Sequence, residues 1–409
     1  MAIKRLILHL GMPKAGSTSI QHALFSNSAM LEKNGFRYLT EWGENHLIVL
    51  RQIFSPHPVE FNDKYFFNIL TEEDRKKFVK NKINAMLEVS NTTTCESLIL
   101  SGEYFIHLSI DSTNIKIKDF LVKYFQSKNV ETKIICLVRN PLTWMISSHQ
   151  QSHALGTFKA WLDYFDERIR MYNGIFNLKR YFADSLILLK FEDAISDKDG
   201  GLVGCFLKTI GYPKEEINKM NVSKMNESRC MEAVELGQYI EDLEPFAPLG
   251  RDKNKNPNRI AWDLRPLKNV KGAKYDLPLQ GKMELWERLK ETVLLLKEKT
   301  GIDYTDYKIT PSPEQDTYNE ETIQGFIEAF PKLSPILQKL FLKFFEKKYA
   351  ETAQVKFKRL FSEESIPWKM YTLEGNKREK NILLNSRICR ITKILSKMKT
   401  VFKRIMYGD

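Results

Sequence analysis

Near the start of the chain a short apolar run, Leu6-Ile-Leu-His-Leu10, gives way to Gly11-Met-Pro-Lys-Ala-Gly-Ser-Thr18 and then to Ser19-Ile-Gln-His-Ala-Leu24. No other stretch restricts the fold as strongly. A buried strand, a tight turn with two glycines and the opening of a helix aim backbone N–H groups and a helix dipole at one spot. That spot suits a phosphate or sulfate group. Gly11 and Gly16 have the spacing of a Walker loop, but Ser17 stands where a nucleoside-triphosphate enzyme carries lysine. The lysine comes earlier, as Lys14 behind Pro13. An anion is expected here, and ATP is not the first choice.

The same pattern recurs along the chain. Leu98-Ile-Leu100, Ile134-Ile-Cys-Leu-Val138 and Ser185-Leu-Ile-Leu-Leu189 are short and apolar, and each is separated from the next by segments of helical period. Strands without an alternating polar face belong to a parallel sheet covered by helices on both sides, so the expected fold class is α/β. Ligands of such sheets bind beyond the C-terminal ends of the strands. Those ends deliver Gly11–Thr18, Ser101-Gly-Glu103 and Arg139-Asn-Pro141 to one edge. Leu202–Ile210, Met231–Leu243 and the run Leu285, Trp286, Leu289, Val293, Leu296 read as further helices, and Pro245–Pro278 as a long surface loop over that edge.

With Pro13-Lys-Ala-Gly-Ser-Thr-Ser19 and Leu137-Val-Arg-Asn-Pro141 both in view, the chain resembles the sulfotransferases. These transfer sulfate from 3′-phosphoadenosine 5′-phosphosulfate (PAPS). The first segment is similar to their 5′-phosphosulfate loop, made here of Pro13, Lys14, Ala15, Gly16, Ser17, Thr18 and Ser19. The segment around Arg139 resembles their 3′-phosphate segment, with Arg139 followed eight residues later by Ser147. Leu188-Leu-Lys-Phe-Glu-Asp193 fits bacterial members. The resemblance covers roughly the first half of the chain and fades after about residue 230. A further glycine-rich nucleotide contact is not recognisable, Lys271-Gly-Ala-Lys274 being a weak substitute. The resemblance implies a P-loop NTPase-like sulfotransferase fold and PAPS as co-substrate.

Sulfuryl transfer moves a planar SO₃ group between two in-line oxygens, so catalysis is mostly positioning and charge stabilisation. Lys14 is expected to neutralise the bridging oxygen of the leaving phosphate, and Arg139 with Ser147 to hold the 3′-phosphate. No divalent metal is called for. The acceptor hydroxyl needs a general base. Glu103 is the favoured candidate, because related bacterial members carry Ser-x-Glu at this place. His46, in Glu44-Asn-His46, is the other, since some glycan sulfotransferases use a histidine. Ion pairing for Glu103 and helix capping for His46 are the competing roles.

The chain has 409 residues and a net charge of +12. Residues 331–409 hold 19 Lys and Arg against 7 Asp and Glu, an excess of 12, so this segment carries the whole surplus. Within it Leu384, Ile388, Ile391, Leu395, Met398, Phe402 and Ile405 alternate four-three with basic residues between them. That is a basic amphipathic helix, over 381–406, suited to packing on its own domain or to an anionic membrane. The expected organisation is a catalytic domain over 1–310 and a basic helical extension over 317–409. No recognisable nucleic-acid module accompanies the charge. Five scattered cysteines without ligand spacing, no secretory signal and no bilayer-length apolar run point to a cytoplasmic protein. The combined expectation is a cytoplasmic, bacterial enzyme that O-sulfates a carbohydrate or glycolipid, with peripheral membrane contact through 381–406. A P-loop small-molecule kinase and a non-catalytic nucleotide-binding scaffold of a glycan assembly complex are the alternatives.

Overall fold

The computed structural model describes residues 2–55, 71–103, 111–150, 165–222, 229–243, 264–312, 314–315 and 317–352. Packing divides the chain into two compact units. The first comprises Met1–His149, Leu162–Glu227 and Leu277–Ser312, and the second Gln150–Trp161, Ser228–Asp276 and Pro313–Asp409.

Among the described residues the first unit is built on five strands: β1 (Arg5–Gly11), β2 (Phe36–Tyr38), β3 (Ser97–Glu103), β4 (Glu131–Val138) and β5 (Leu186–Lys190). They lie in the order β2-β3-β1-β4-β5, every neighbouring pair parallel. The α/β class with a helix-flanked parallel sheet therefore holds. The apolar residues of β1, β3 and β4 are almost wholly excluded from water, as strands covered on both faces require. Between them run α1 (Ser17–Ser26), α2 (Ser28–Lys33), α3 (Leu47–Phe54), α4 (Glu72–Thr92), α5 (Asp111–Tyr124), α6 (Pro141–His149) and α7 (Phe165–Phe182). After β5 come α8 (Phe191–Ile195), α9 (Gly201–Thr209), α10 (Lys214–Ile217), and, past α11 (Met231–Leu243) of the second unit, the long α12 (Leu279–Thr300).

Local chemistry explains several of these boundaries. Thr71 opens α4 with a reciprocal capping box: its hydroxyl accepts from Asp74 N at 3.1 Å while its own N–H reaches the Asp74 carboxylate at 3.0 Å. Gly301, at φ 78°, ends α12 in the left-handed conformation typical of a C-terminal cap. Helix α12 packs on α6 and α7, which follow β4. In this strand order β1 is central, and the chain leaves it to opposite sides for β3 and β4. The crevice beyond β1 and β4 is thus the topological switch point of the sheet.

The second unit has a core of its own. Ala233, Leu236 and Ile240 of α11 pack with Leu267 and Val270, with Phe326 of α13 (Glu320–Ala329) and with Phe341 and Phe345 of α14 (Pro335–Thr352). The expected division fell between 310 and 317, yet Ser228–Asp276 packs here with the segment beyond Pro313. The described part of the expected surface loop is also different in kind: Arg265–Asn269 is a 3₁₀ turn, and Leu267, Val270 and Ala273 are buried. The basic helix expected over 381–406 lies outside the described residues. No described helix is long and apolar enough to cross a membrane.

Candidate functional site

Strand β1 stops at Gly11 because the chain must pass close to the start of α1. A Cβ at Gly11 would lie 2.0 Å from Ser17 Oγ, and one at Gly16 would lie 2.0 Å from a Leu202 methyl group, so a side chain at either position would force these neighbours to shift. Gly16 sits at φ 79°. Lys14 shares that left-handed region at φ 63°, which is costly for a residue with a side chain and marks stored strain at the turn. Met12 and Ala15 are buried and anchor the loop from beneath. Its carbonyls are tied to protein donors: Trp144 Nε1 donates to Pro13 O at 2.8 Å, Arg139 Nη1 to Lys14 O at 2.6 Å, and Ala15 N to Met12 O at 3.2 Å. The N–H groups of Gly16, Ser17 and Thr18 have no acceptor among the described residues. Carbonyls engaged and N–H groups left to donate, at the head of a ten-residue helix, make an anion cradle.

Arg139 leaves the end of β4 directly beside this loop. Besides its bond to Lys14 O, its Nε donates to Thr143 Oγ1 at 3.2 Å, and its guanidinium lies 4.8 Å from the Phe191 ring centroid. Burial pushes its pKa down, and Glu192 opposes that, so the group stays a cation held in a half-dry setting. Asn140 caps α6, its Oδ1 accepting from Leu142 N at 2.9 Å. Ser147 follows two turns along the same helix, buried, with no side-chain hydrogen bond among the described residues. The two expected half-sites are therefore in direct contact.

Glu103 ends β3 opposite Gly11 in the parallel register, so its carboxylate issues from the strand next to the loop. Burial raises its pKa, and the Lys14 ammonium pulls it the other way. That pairing of effects places Lys14 and Glu103 in one electrostatic neighbourhood. A half-buried carboxylate with a raised pKa is a better proton acceptor than an exposed one.

His46 corrects the expectation. It is fully buried, its Nδ1 accepts from Ser101 N at 3.0 Å, and its ring stacks on Tyr38 at 4.6 Å and against Trp42 at 5.6 Å. Burial pushes its pKa down to about 3. An imidazole walled in this way braces β3 and cannot meet an acceptor hydroxyl. His9 is another buried histidine of this kind, with Nδ1 2.8 Å from Ser101 Oγ and its pKa lowered to about 4 by burial. Ser101 is thus gripped from both sides, two residues before Glu103.

Several residues around the site carry no motif of their own. Thr143, Trp144, Tyr172 and Tyr304 are visible in the sequence only as members of helices or as isolated aromatics. Tyr172 OH donates to Arg139 O at 2.9 Å, and Tyr304 OH reaches Val138 O at 2.7 Å. Among the described residues, no cluster of His, Cys, Asp and Glu is arranged to hold a metal ion.

No protein-family model and no curated protein sequence matches the chain. Among solved structures it is similar to retinol dehydratase in complex with androsterone and the inactive cofactor PAP. That likeness has 13% identity and a TM-score of 0.34, covering 74% of this chain and 84% of the other. A retinol dehydratase complex with retinol and PAP is matched at 15% identity and a TM-score of 0.29, over 53% of this chain and 63% of that one. Both likenesses are too distant to carry an argument. The fold stands on the sheet described above, and the site on its own geometry.

Proposed function

We propose that this chain is a sulfotransferase that moves the sulfuryl group of PAPS to a hydroxyl of a carbohydrate or glycolipid. The observation that supports it most is the hydrogen bond from Arg139 to Lys14 O, which joins the segment after β4 to the loop after β1. One side of this joint has the available N–H groups of Gly16, Ser17 and Thr18, with Ser19 one residue further along α1, and the other has a half-buried cation with Ser147 on the helix that follows it. The residues fit a ligand with two separated anionic groups, a 5′-phosphosulfate on the loop and a 3′-phosphate on Arg139 and Ser147.

In this reading the Glu103 carboxylate takes the proton of the acceptor hydroxyl as its oxygen bonds to sulfur. The bond between sulfur and the 5′-phosphate oxygen breaks, and adenosine 3′,5′-bisphosphate leaves. Lys14 meets the charge that develops on the bridging oxygen, where a fixed cation in a partly desolvated site is most effective. A kinase of the P-loop kind would want lysine at Ser17. The acceptor class and the bacterial source rest on the family resemblance alone, whereas the cytoplasmic, membrane-apposed location is suggested by the scattered cysteines and by the basic helix expected over 381–406.

The test is transfer of labelled sulfate from PAPS to glycan and lipid extracts, with wild type and Lys14→Ala. Transfer that disappears in the variant supports the proposal. Tight binding of ATP with magnesium, without binding of adenosine 3′,5′-bisphosphate, would overturn it in favour of a kinase. Bisphosphate binding without transfer to any fraction would favour a scaffold.

A further inference from the structure

Strand β5 ends at Lys190, and the next two residues turn back toward the end of β4. Phe191 lies against the face of the Arg139 guanidinium. Glu192 goes further. Its carboxylate accepts from Asn140 N at 3.2 and 3.3 Å, from Thr143 Oγ1 at 2.8 Å and from Tyr304 OH at 2.7 Å. Thr143 Oγ1 in turn accepts from Arg139 Nε at 3.2 Å, so a hydrogen-bond relay runs from Arg139 through Thr143 to Glu192. Tyr304 arrives from the segment after α12, 112 residues along the chain from Glu192, and its single hydroxyl proton is shared between that carboxylate and the last carbonyl of β4, each 2.7 Å away. Three donors drawn from α6, its cap and a distant loop therefore converge on one carboxylate.

This arrangement leaves Glu192 little capacity to touch a ligand. What it controls is Arg139. The relay fixes Nε, the loop carbonyl of Lys14 takes Nη1, and the guanidinium carbon rests over the Phe191 ring, while Nη2 has no partner among the described residues. A guanidinium pinned on two edges and one face presents its remaining N–H donors in a single direction. We infer that Glu192, with Tyr304 and Thr143, is a positioning residue that aims Arg139 at the 3′-phosphate and so makes the site select 3′-phosphorylated nucleotides. This rests on the sulfotransferase reading above.

The experiment compares adenosine 3′,5′-bisphosphate with adenosine 5′-monophosphate, each titrated calorimetrically into the full chain. Wild type is expected to prefer the bisphosphate. Glu192→Gln keeps the shape of the side chain but removes the charge and turns an amide N–H₂ toward groups that donate. It is expected to weaken the bisphosphate about tenfold, the size of one spoiled charge-assisted bond, while the monophosphate changes by less than about twofold. Thr143→Val, which cuts the relay and leaves the carboxylate in place, is expected to move the ratio in the same direction. In an Arg139→Ala background neither substitution has anything left to aim, so neither lowers bisphosphate affinity further. A general structural role would weaken both ligands alike, and either that result or full additivity with Arg139→Ala overturns the inference. Should wild type show no preference for the bisphosphate, the sulfotransferase reading itself falls. A preference that survives both substitutions removes only the role given to Glu192.

Discussion

Lys14 carries both the charge and the strain of the loop. Its side chain acts on the site electrostatically, and its backbone stays at φ 63° because Gly16, Arg139 and Trp144 fix the turn around it. The two contributions separate by substitution. In the proposed reaction Lys14→Ala and Lys14→Gly should lose transfer equally, since both lack the ammonium. The glycine variant should be the more stable by about 1 kcal/mol, because only glycine enters this region without steric cost. Equal unfolding midpoints in urea would show that the turn is not strained. Glu103 makes a different prediction. Glu103→Gln should lower kcat by about 10²–10⁴-fold and leave bisphosphate binding intact, as expected of a base that does not hold the nucleotide. In wild type the rate should fall on the acid side at a pH above the ordinary carboxylate range, because burial raises the pKa of this group. A normal acid limb, or loss of nucleotide binding in the variant, would reassign Glu103 to ion pairing. The motif letters singled out Lys14, Arg139 and Glu103, and the fold brings these three to one end of the sheet. The burial of His46 was not legible, because nothing in Glu44-Asn-His46 foretells that Tyr38 and Trp42 close over its ring.

At the scale of elements, what could be read was what burial writes into the residue pattern. β1, β3, β4 and β5 are apolar runs long enough to stand out, and the structure has all four. β2 is three residues at the sheet edge, Phe36–Tyr38, too short for any period to show. The 3₁₀ turn Arg265–Asn269 and the residues after it were hidden for a different reason: the buried Leu267, Val270 and Ala273 come every third position among Pro266, lysines and an arginine, a composition that reads as exposed loop. The same applies to Glu232 of α11, a charged side chain in the interior of the second unit. Its carboxylate accepts from Ala273 N at 3.1 Å and from Tyr318 N at 3.0 Å, and Tyr318 is held at φ 53°. Buried N–H groups left without an acceptor cost about 1–3 kcal/mol each, so Glu232→Ala should destabilise the protein by roughly 3 kcal/mol in urea unfolding. Glu232→Gln keeps one acceptor oxygen and should lose clearly less. A loss below about 0.5 kcal/mol for the alanine variant would mean that this carboxylate does not hold the loops together.

The whole molecule should register two of its buried histidines, His9 and His46, as a dependence of stability on pH. In the folded chain His9 and His46 stay neutral down to about 4 and about 3. In the unfolded chain both take protons near the ordinary histidine value of about 6.5. The native state therefore binds fewer protons than the unfolded state below that value. The stabilisation is complete above about pH 6.5 and is lost progressively as pH falls toward the folded values. Each histidine contributes at most about 1.4 kcal/mol per pH unit to that slope, and His9 alone sums to roughly 3 kcal/mol by pH 4. Carboxylates add their own terms, so the decisive measurement is a difference: urea unfolding of wild type and His9→Asn between pH 7 and about pH 4.5. The variant is less stable at neutral pH, because Ser101 Oγ loses its ring partner. Its stability should nevertheless fall with acid less steeply than that of wild type, by close to one proton. Parallel curves would mean that His9 titrates normally in the folded protein, and the packing of Ser101 between two neutral imidazoles beneath the site would have to be given up.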